Sequence, residues 1–515
     1  MIAASLTVET DWTARNFDEG AGQIQRFVRD YSITRGRSSE LDRVGAGQAV
    51  ITVDSPSALF SPLNTSGSLS GSLLPGRSIK IAWAIPAFGM KITSGVATDE
   101  DDFIVSRADG DGIGPGGSAK YYRFVGKIKS YSSEPDVSGQ RNATLTCIDY
   151  FNELQRHETR STLYQTAKSG CLAGSLLNDA GFYTACRVIA DGQDIYKYAF
   201  FEKRKLDEVL VDIERTEYGF MYVRGDGAFV FHDRHYRSTT PTVTASFIDT
   251  MSGITYFRSD DDLATAAEVS FRPKIQKGNT TVWTLQSPIS INAKANASFF
   301  GAYIDPTTCQ LTPALGIASG TANFFTASDG TGTNVGTDFS TSFVAFAESF
   351  KFAASNAGST TNWLSSFTVT GCPLTSYENS TARAVDAAAC KLYGLRTLTY
   401  GGQNLIHTSE KARDFARFLV NRFKDPANLD DTALTLVNDN STNLRLMLLL
   451  ELDDRIALSN TILNMSGVDF FIGKLDERWS TDQRFNVTYQ LERASTQNDF
   501  IVDSSDVGSG DGLGY

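Results

Sequence analysis

Few residues of this chain stand at spacings that could do chemistry. It has four histidines, His157, His232, His235 and His407. His232 and His235 form an HxxH, but imidazoles three apart on an extended segment face opposite sides and cannot close on one metal. No HExxH is present, and no Ser-His-Asp or Cys-His grouping is recognisable. Gly112-Ile113-Gly114-Pro115-Gly116-Gly117 spells GxGxxG. A dinucleotide fingerprint must leave a strand and open a helix, whereas Lys120-Tyr121-Tyr122-Arg123-Phe124-Val125 reads as another strand, so the glycines read as a loop. Asp99, Glu100, Asp101, Asp102, Asp109 and Asp111 crowd that loop without EF-hand spacing, and a solvated acidic loop is the plainer reading. Arg224-Gly225-Asp226 spells an adhesion tripeptide, yet a hairpin turn accounts for each residue. A glycosidase needs only two carboxylates about 5 to 10 Å apart, which 59 acidic residues leave open. No catalytic residue, cofactor or metal ligand is assigned, and the chain is read as a non-enzyme.

The elements that would position such residues are mainly strands. From residue 30 to 150, short apolar runs such as Ala49-Val50-Ile51-Thr52-Val53, Ile79-Lys80-Ile81-Ala82-Trp83 and Ala143-Thr144-Leu145-Thr146-Cys147 lie between prolines and glycines. They predict a β-barrel-like domain over 1–150 with a long 95–120 loop. A short helix is expected at 149–156. Leu206, Val209, Leu210 and Ile213 then recur on one helix face, followed by the hairpin Phe220–Val223 and Ala228–Phe231. Residues 151–275 therefore read as an α+β domain.

Charge then drops abruptly: residues 281 to 380 carry only seven charged side chains in a chain that is 21% charged, which marks a separate body. Its Ser, Thr, Gly, Asn and Phe content predicts an inserted β-sandwich over 276–395. Trp363 is its candidate glycan contact, against a core role. Over 396–495, Thr408 is placed to cap a helix with Ala412, Phe415, Ala416, Leu419, Val420 and Phe423 on one face, stopped by Pro426. Strands follow, then a polar 496–515 tail expected to be flexible.

Length and composition bound the rest. At 515 residues several domains are expected. The formal net charge of −12 has the wrong sign for tight phosphate binding, though a DNA conduit is compatible with it. No apolar run approaches the ~18 residues of a membrane span. The start, MIAASLTVETDW, has no basic segment leading into an apolar one, so folding in the cytoplasm is expected. The six cysteines contain no CxxC and are expected to be buried free thiols, with Cys171 and Cys186 the pair to test for a bridge.

The most distinctive segment is Tyr31-Ser32-Ile33-Thr34-Arg35-Gly36-Arg37-Ser38-Ser39-Glu40-Leu41-Asp42-Arg43. Gly45–Asp54, Phe60-Ser61-Pro62-Leu63-Asn64 and Leu74-Pro75-Gly76-Arg77 follow it. Together these runs resemble the N-terminal signature of minor tail, or baseplate hub, proteins of long-tailed bacteriophages and prophages. The chain departs from that pattern at Val44-Gly45 and at Ser61. Leu206–His235, Lys411–Pro426 and Trp479–Leu491 resemble further parts of the same family, and the low-charge insert resembles one found in it.

The resemblance implies a multidomain, mainly β, phage tail hub-like fold. It implies a structural protein of the virion tail tip that rings the tail lumen as a homotrimer and functions in host attachment and DNA ejection. The implied partners are itself, the distal tail protein, the tape-measure protein, a tail fibre or receptor-binding protein, and DNA in passage. Alternatives are a tail-associated cell-wall hydrolase, a carbohydrate-binding adhesin using the insert, and a distal tail protein. Arg35, Arg37, Glu40, Asp42 and Arg43 alternate in charge too densely for a buried strand. They read as a solvated turn or an inter-subunit seam, and the seam is the expectation carried forward.

Overall fold

The computed structural model describes residues 4–12, 22–42, 44–85, 91–93, 96–98, 119–135, 141–160, 163–182, 186–239, 242–258, 260–401, 405–482, 484–494, 499–500 and 512–513. The architecture is mainly β with α+β elements, in several sheets. The glycine-rich and acidic run from Asp99 to Gly117, Arg43 and most of the 496–515 tail lie outside the described residues.

One twelve-stranded sheet dominates. Its main path runs Ser5–Thr10, Ser78–Ile85, Ala119–Pro135, Arg141–Asp149, Gln48–Asp54, Val28–Gly36, Met465–Ser480, Phe485–Arg493, Asp430–Val437, Gly253–Arg258. All neighbours on this path are antiparallel. Alternation explains which side is buried: Tyr31 and Ile33, Ala49, Ile51 and Val53, Leu145 and Cys147, and Val487 and Tyr489 fill one core. Ser32, Thr34, Val50 and Thr52 point to the other, half-exposed face. Strands of residues 1–150, expected as a domain of their own, thus share one sheet with the strands of the 396–495 region. They join where Val28–Gly36 pairs with Met465–Ser480 from Asp30↔Ser480 to Gly36↔Lys474.

Beside this sheet, helices Ser169–Asp179 and Leu206–Glu217 pack on the hairpin Phe220–Val223/Phe229–His232. Leu206, Val209, Leu210 and Ile213 are fully buried; each such burial is worth roughly 1.5–3 kcal/mol. Helix Ser409–Phe423, capped by Thr408 accepting from the Lys411 N–H, covers the small sheet of Ala266–Phe271, Ser380–Val385 and Thr397–Tyr400.

The charge-poor insert has its own aromatic core of Phe324, Phe350, Phe352 and Phe367. That core ends by about Val369, whereas Ala382 belongs to the cluster under helix Ser409–Phe423. Residues 380–395 therefore side with the main body. All six cysteines are unbridged; Cys147 is buried, while Cys171, Cys186 and Cys309 are exposed. The prediction of buried thiols fails for those three because they sit on outward helix, loop and turn positions. No helix of the described residues is long and apolar enough to cross a membrane.

Candidate functional site

The densest array of charge lies where the signature strand meets the C-terminal strands. Strand alternation sends Arg35 to the same side as Tyr31 and Ile33, so its guanidinium must find a partner indoors. Its Nη1 lies 2.7 Å from Glu451 Oε1, and Nη2 donates at 3.1 Å to Oε2. Gly36 then turns the chain at φ +98°, and a Cβ there would stand 2.2 Å from the Gly473 carbonyl oxygen. This bend aims Arg37 at Glu492, to which Nε and Nη2 each donate at 2.9 Å in a two-pronged fork.

Arg237 extends the array, donating at 2.6 Å to Glu492 and at 2.7 Å to Asp453, whose other oxygen meets His232 Nδ1 at 2.8 Å. A second chain runs alongside. Trp83 Nε1 donates to the Tyr31 hydroxyl at 2.8 Å, and that hydroxyl donates to Glu477 at 2.7 Å. Arg123 Nε donates to the other Glu477 oxygen, also at 2.7 Å.

Electrostatics fix the charges in place. Burial alone would raise the Glu492 carboxyl, but Arg37 and Arg237 outweigh it and hold it far below the ordinary range. Burial likewise opposes Glu451, which Arg35 and Arg123 bring down to about 2. The carboxylates raise Arg37, Arg123 and Arg237 in return, against burial. Such groups stay ionised at every working pH, so they fasten strands and do not carry protons. Asp149 differs. Burial pushes its carboxyl up to about 7, against hydrogen bonds from the Gly47 and Phe151 N–H groups and the charge of Arg35. Its partners are backbone of its own chain, which makes it a structural staple.

Solved structures to which this fold is similar include prophage tail proteins. The chain is similar to the 43 kDa tail protein of prophage MuSo2 from Shewanella oneidensis at 9% identity and TM-score 0.48, covering 95% of this chain and 98% of that one. It is similar to the tail protein from Neisseria meningitidis MC58 at 10% identity and TM-score 0.45, covering 95% and 96%. Prophage tail protein gp18 from Listeria monocytogenes EGD-e follows at 10% identity and TM-score 0.40, with the same coverage. No protein-family model and no curated protein matches the sequence.

The structure redirects the reading of the signature charges. Arg35 and Arg37, 2% and 8% exposed, are enclosed within one chain and leave no guanidinium for a neighbouring subunit. Glu40 is engaged by Arg422, which donates to it at 2.6 Å. The expected inter-subunit seam is therefore corrected for these three residues to an internal clasp. Asp42 is exposed and Arg43 lies outside the described residues. Trp363 is half-buried on Asn362–Ser366, between Ser290 and Phe325 on neighbouring strands. It is not part of the insert's core.

Sequence reasoning missed Arg123, Arg237, Glu451, Asp453, Glu477 and Glu492. One signal was present: Glu477 shares the parity of Leu475 on its strand, and a charge on an apolar row must be paired.

Proposed function

We propose that this chain is a structural component of a long-tailed bacteriophage tail, a hub at the tail tip. In this reading it closes as a homotrimeric ring around the lumen and links the distal tail ring to fibres or receptor-binding proteins. The observation that carries the reading is the use made of the signature. The residues that resemble the tail-protein motif, Arg35, Arg37 and Glu40, each form an intrachain ion pair with a partner 382 to 455 positions away. A motif used to hold the first strands to the last is scaffold chemistry. It yields a stiff sheet and no proton donor or nucleophile.

The test is gold-labelled antibody against residues 276–395, applied to particles that carry the chain. Label at the end of the tail distal to the capsid supports the hub. Label along the tail tube, on the capsid, or only on cell debris overturns it.

A further inference from the structure

The large sheet ends, among the described residues, in Ser5–Thr10 on one side and Gly253–Arg258 on the other. Gly253–Arg258 pairs with Asp430–Val437 along one edge, and no described strand pairs with its other edge. On Ser5–Thr10 the Val8 carbonyl accepts from the Ile24 N–H at 2.9 Å and the Thr10 N–H donates to Gly22 at 2.8 Å. Ser5–Thr7 is thus the part of that edge with no described backbone partner on its outer side. A bare strand edge is a template for another strand, so a chain must either cover it or use it.

Direction and charge both favour use. The main path holds ten strands whose neighbours are antiparallel throughout, so its two end strands point in opposite directions. Copies related by rotation about a ring axis keep their orientation. Gly253–Arg258 of one copy would therefore meet Ser5–Thr10 of the next antiparallel, like every other pair on the path. The first four strands of the path bring Lys80, Lys120, Lys127, Lys129 and Arg141 against Glu9 and Glu134, apart from the buried Arg123 and Asp149. At the other end Asp260, Asp261 and Asp262 follow Arg258, and Asp430 and Asp431 stand opposite Arg258 and Phe257 in the ladder. In a chain of net charge −12, copies repel unless unlike surfaces meet, and these two edges are unlike.

The acidic end is also apolar. Phe257 is 58% exposed on the edge strand itself. Arg396 donates to the Asp260 carbonyl at 3.0 Å, which ties the neighbouring Leu395 to the same rim, 62% exposed. Exposed apolar side chains rimmed by charge mark a surface that meets another protein.

We propose that Gly253–Arg258 and the Asp260–Asp262 run dock on the Ser5–Thr10 edge of a second copy of this chain, head to tail. The proposal rests on the ring reading and names its seam, in place of the one expected at Arg35 and Arg37. Two unlike edges at opposite ends of a sheet cannot form a two-fold contact. They generate a closed ring if the rotation closes, and a filament if it does not.

Native mass measurement and sedimentation of the full chain provide the test. Asp261→Lys with Asp262→Lys, or Lys80→Glu with Lys120→Glu, should each weaken assembly about tenfold or more. The melting temperature should hold, because these side chains are exposed or half-exposed. All four changes together exchange the signs of the two edges and should recover most of the lost assembly, which a merely destabilised chain would not do. Phe257→Ser should weaken assembly severalfold. Assembly that survives both pairs of changes overturns the seam and leaves the ring standing; failure of the fourfold exchange to restore what each pair removes overturns it as well. A wild-type chain that stays monomeric at about 100 μM also overturns the seam, while the antibody label on particles decides the hub reading separately.

Discussion

Arg123→Leu should be among the most damaging single changes in the chain, because Glu477, fully buried, would lose its only cationic partner among the described residues and keep just the Tyr31 hydroxyl. Breaking such a pair costs roughly 3–5 kcal/mol, whereas a solvated pair would cost under ~1. Urea melts separate the two, and Arg123→Leu with Glu477→Leu should recover part of the loss. Asp149 gives a pH signature of opposite sign to ordinary carboxylates. Its folded value of about 7 lies above the usual 3.8, so the folded state holds that proton more tightly. Its contribution is full below about pH 4 and is lost as pH rises towards 7. Glu451, lowered to about 2, contributes above its ordinary 4.5 and loses that contribution as pH falls through 2. Asp149→Asn should flatten the decline in melting temperature between pH 5 and 8; an unchanged slope would show that the buried carboxyl is not its source. None of this was legible locally. Arg35 and Arg37 read as a solvated turn or, by preference, an inter-subunit seam, because a strand's neighbours in sequence say nothing of partners 416 and 455 residues away.

Elements with a local cause were readable. The helix face Leu206/Val209/Leu210/Ile213, the Arg224–Gly227 turn and the Thr408 cap all follow from periodicity or turn chemistry within a dozen residues. Thr408→Ala should cost about 1 kcal/mol, measured as a shift in denaturant midpoint. Strand order was not readable, because the join of Val28–Gly36 to Met465–Ser480 depends on backbone pairing that any β-rich segment could offer. The insert is an intermediate case, visible as a fall in charge but placed about twenty residues too far at its C-terminal end. Its necks touch: the Lys277 N–H donates to the Pro373 carbonyl at 2.9 Å. Deleting 278–372 with a short linker should leave a main body that still melts cooperatively, since closing so small a gap costs little loop entropy. The price is partial exposure of Tyr198, which packs on Leu315 of the deleted segment and keeps Leu374. Aggregation of the shortened chain, or a broad non-cooperative melt, would mean that the insert is integral to the body.

At the scale of the whole molecule, the proposed ring predicts a trimer by native mass measurement, with assembly indifferent to Arg35 and Arg37 except through the stability of each chain. A monomer at high concentration, with no ring in particles either, would count against it. Pairing the second strand of the sheet with a strand near the end of the chain also imposes an order of events in the cell. At roughly 5–20 residues per second, a ribosome needs on the order of 20 to 90 s to travel from Gly36 to Met465. Throughout that time one edge of Val28–Gly36 stands bare, and Arg35 and Arg37 have no Glu451 or Glu492 to meet. Nascent chains should therefore depend on chaperone cover, and a product ending at about residue 460 should partition into the pellet while the full chain stays in the supernatant. Prematurely terminated chains would then be removed before they could take a place in a particle, so the clasp would also serve as an inspection of complete translation.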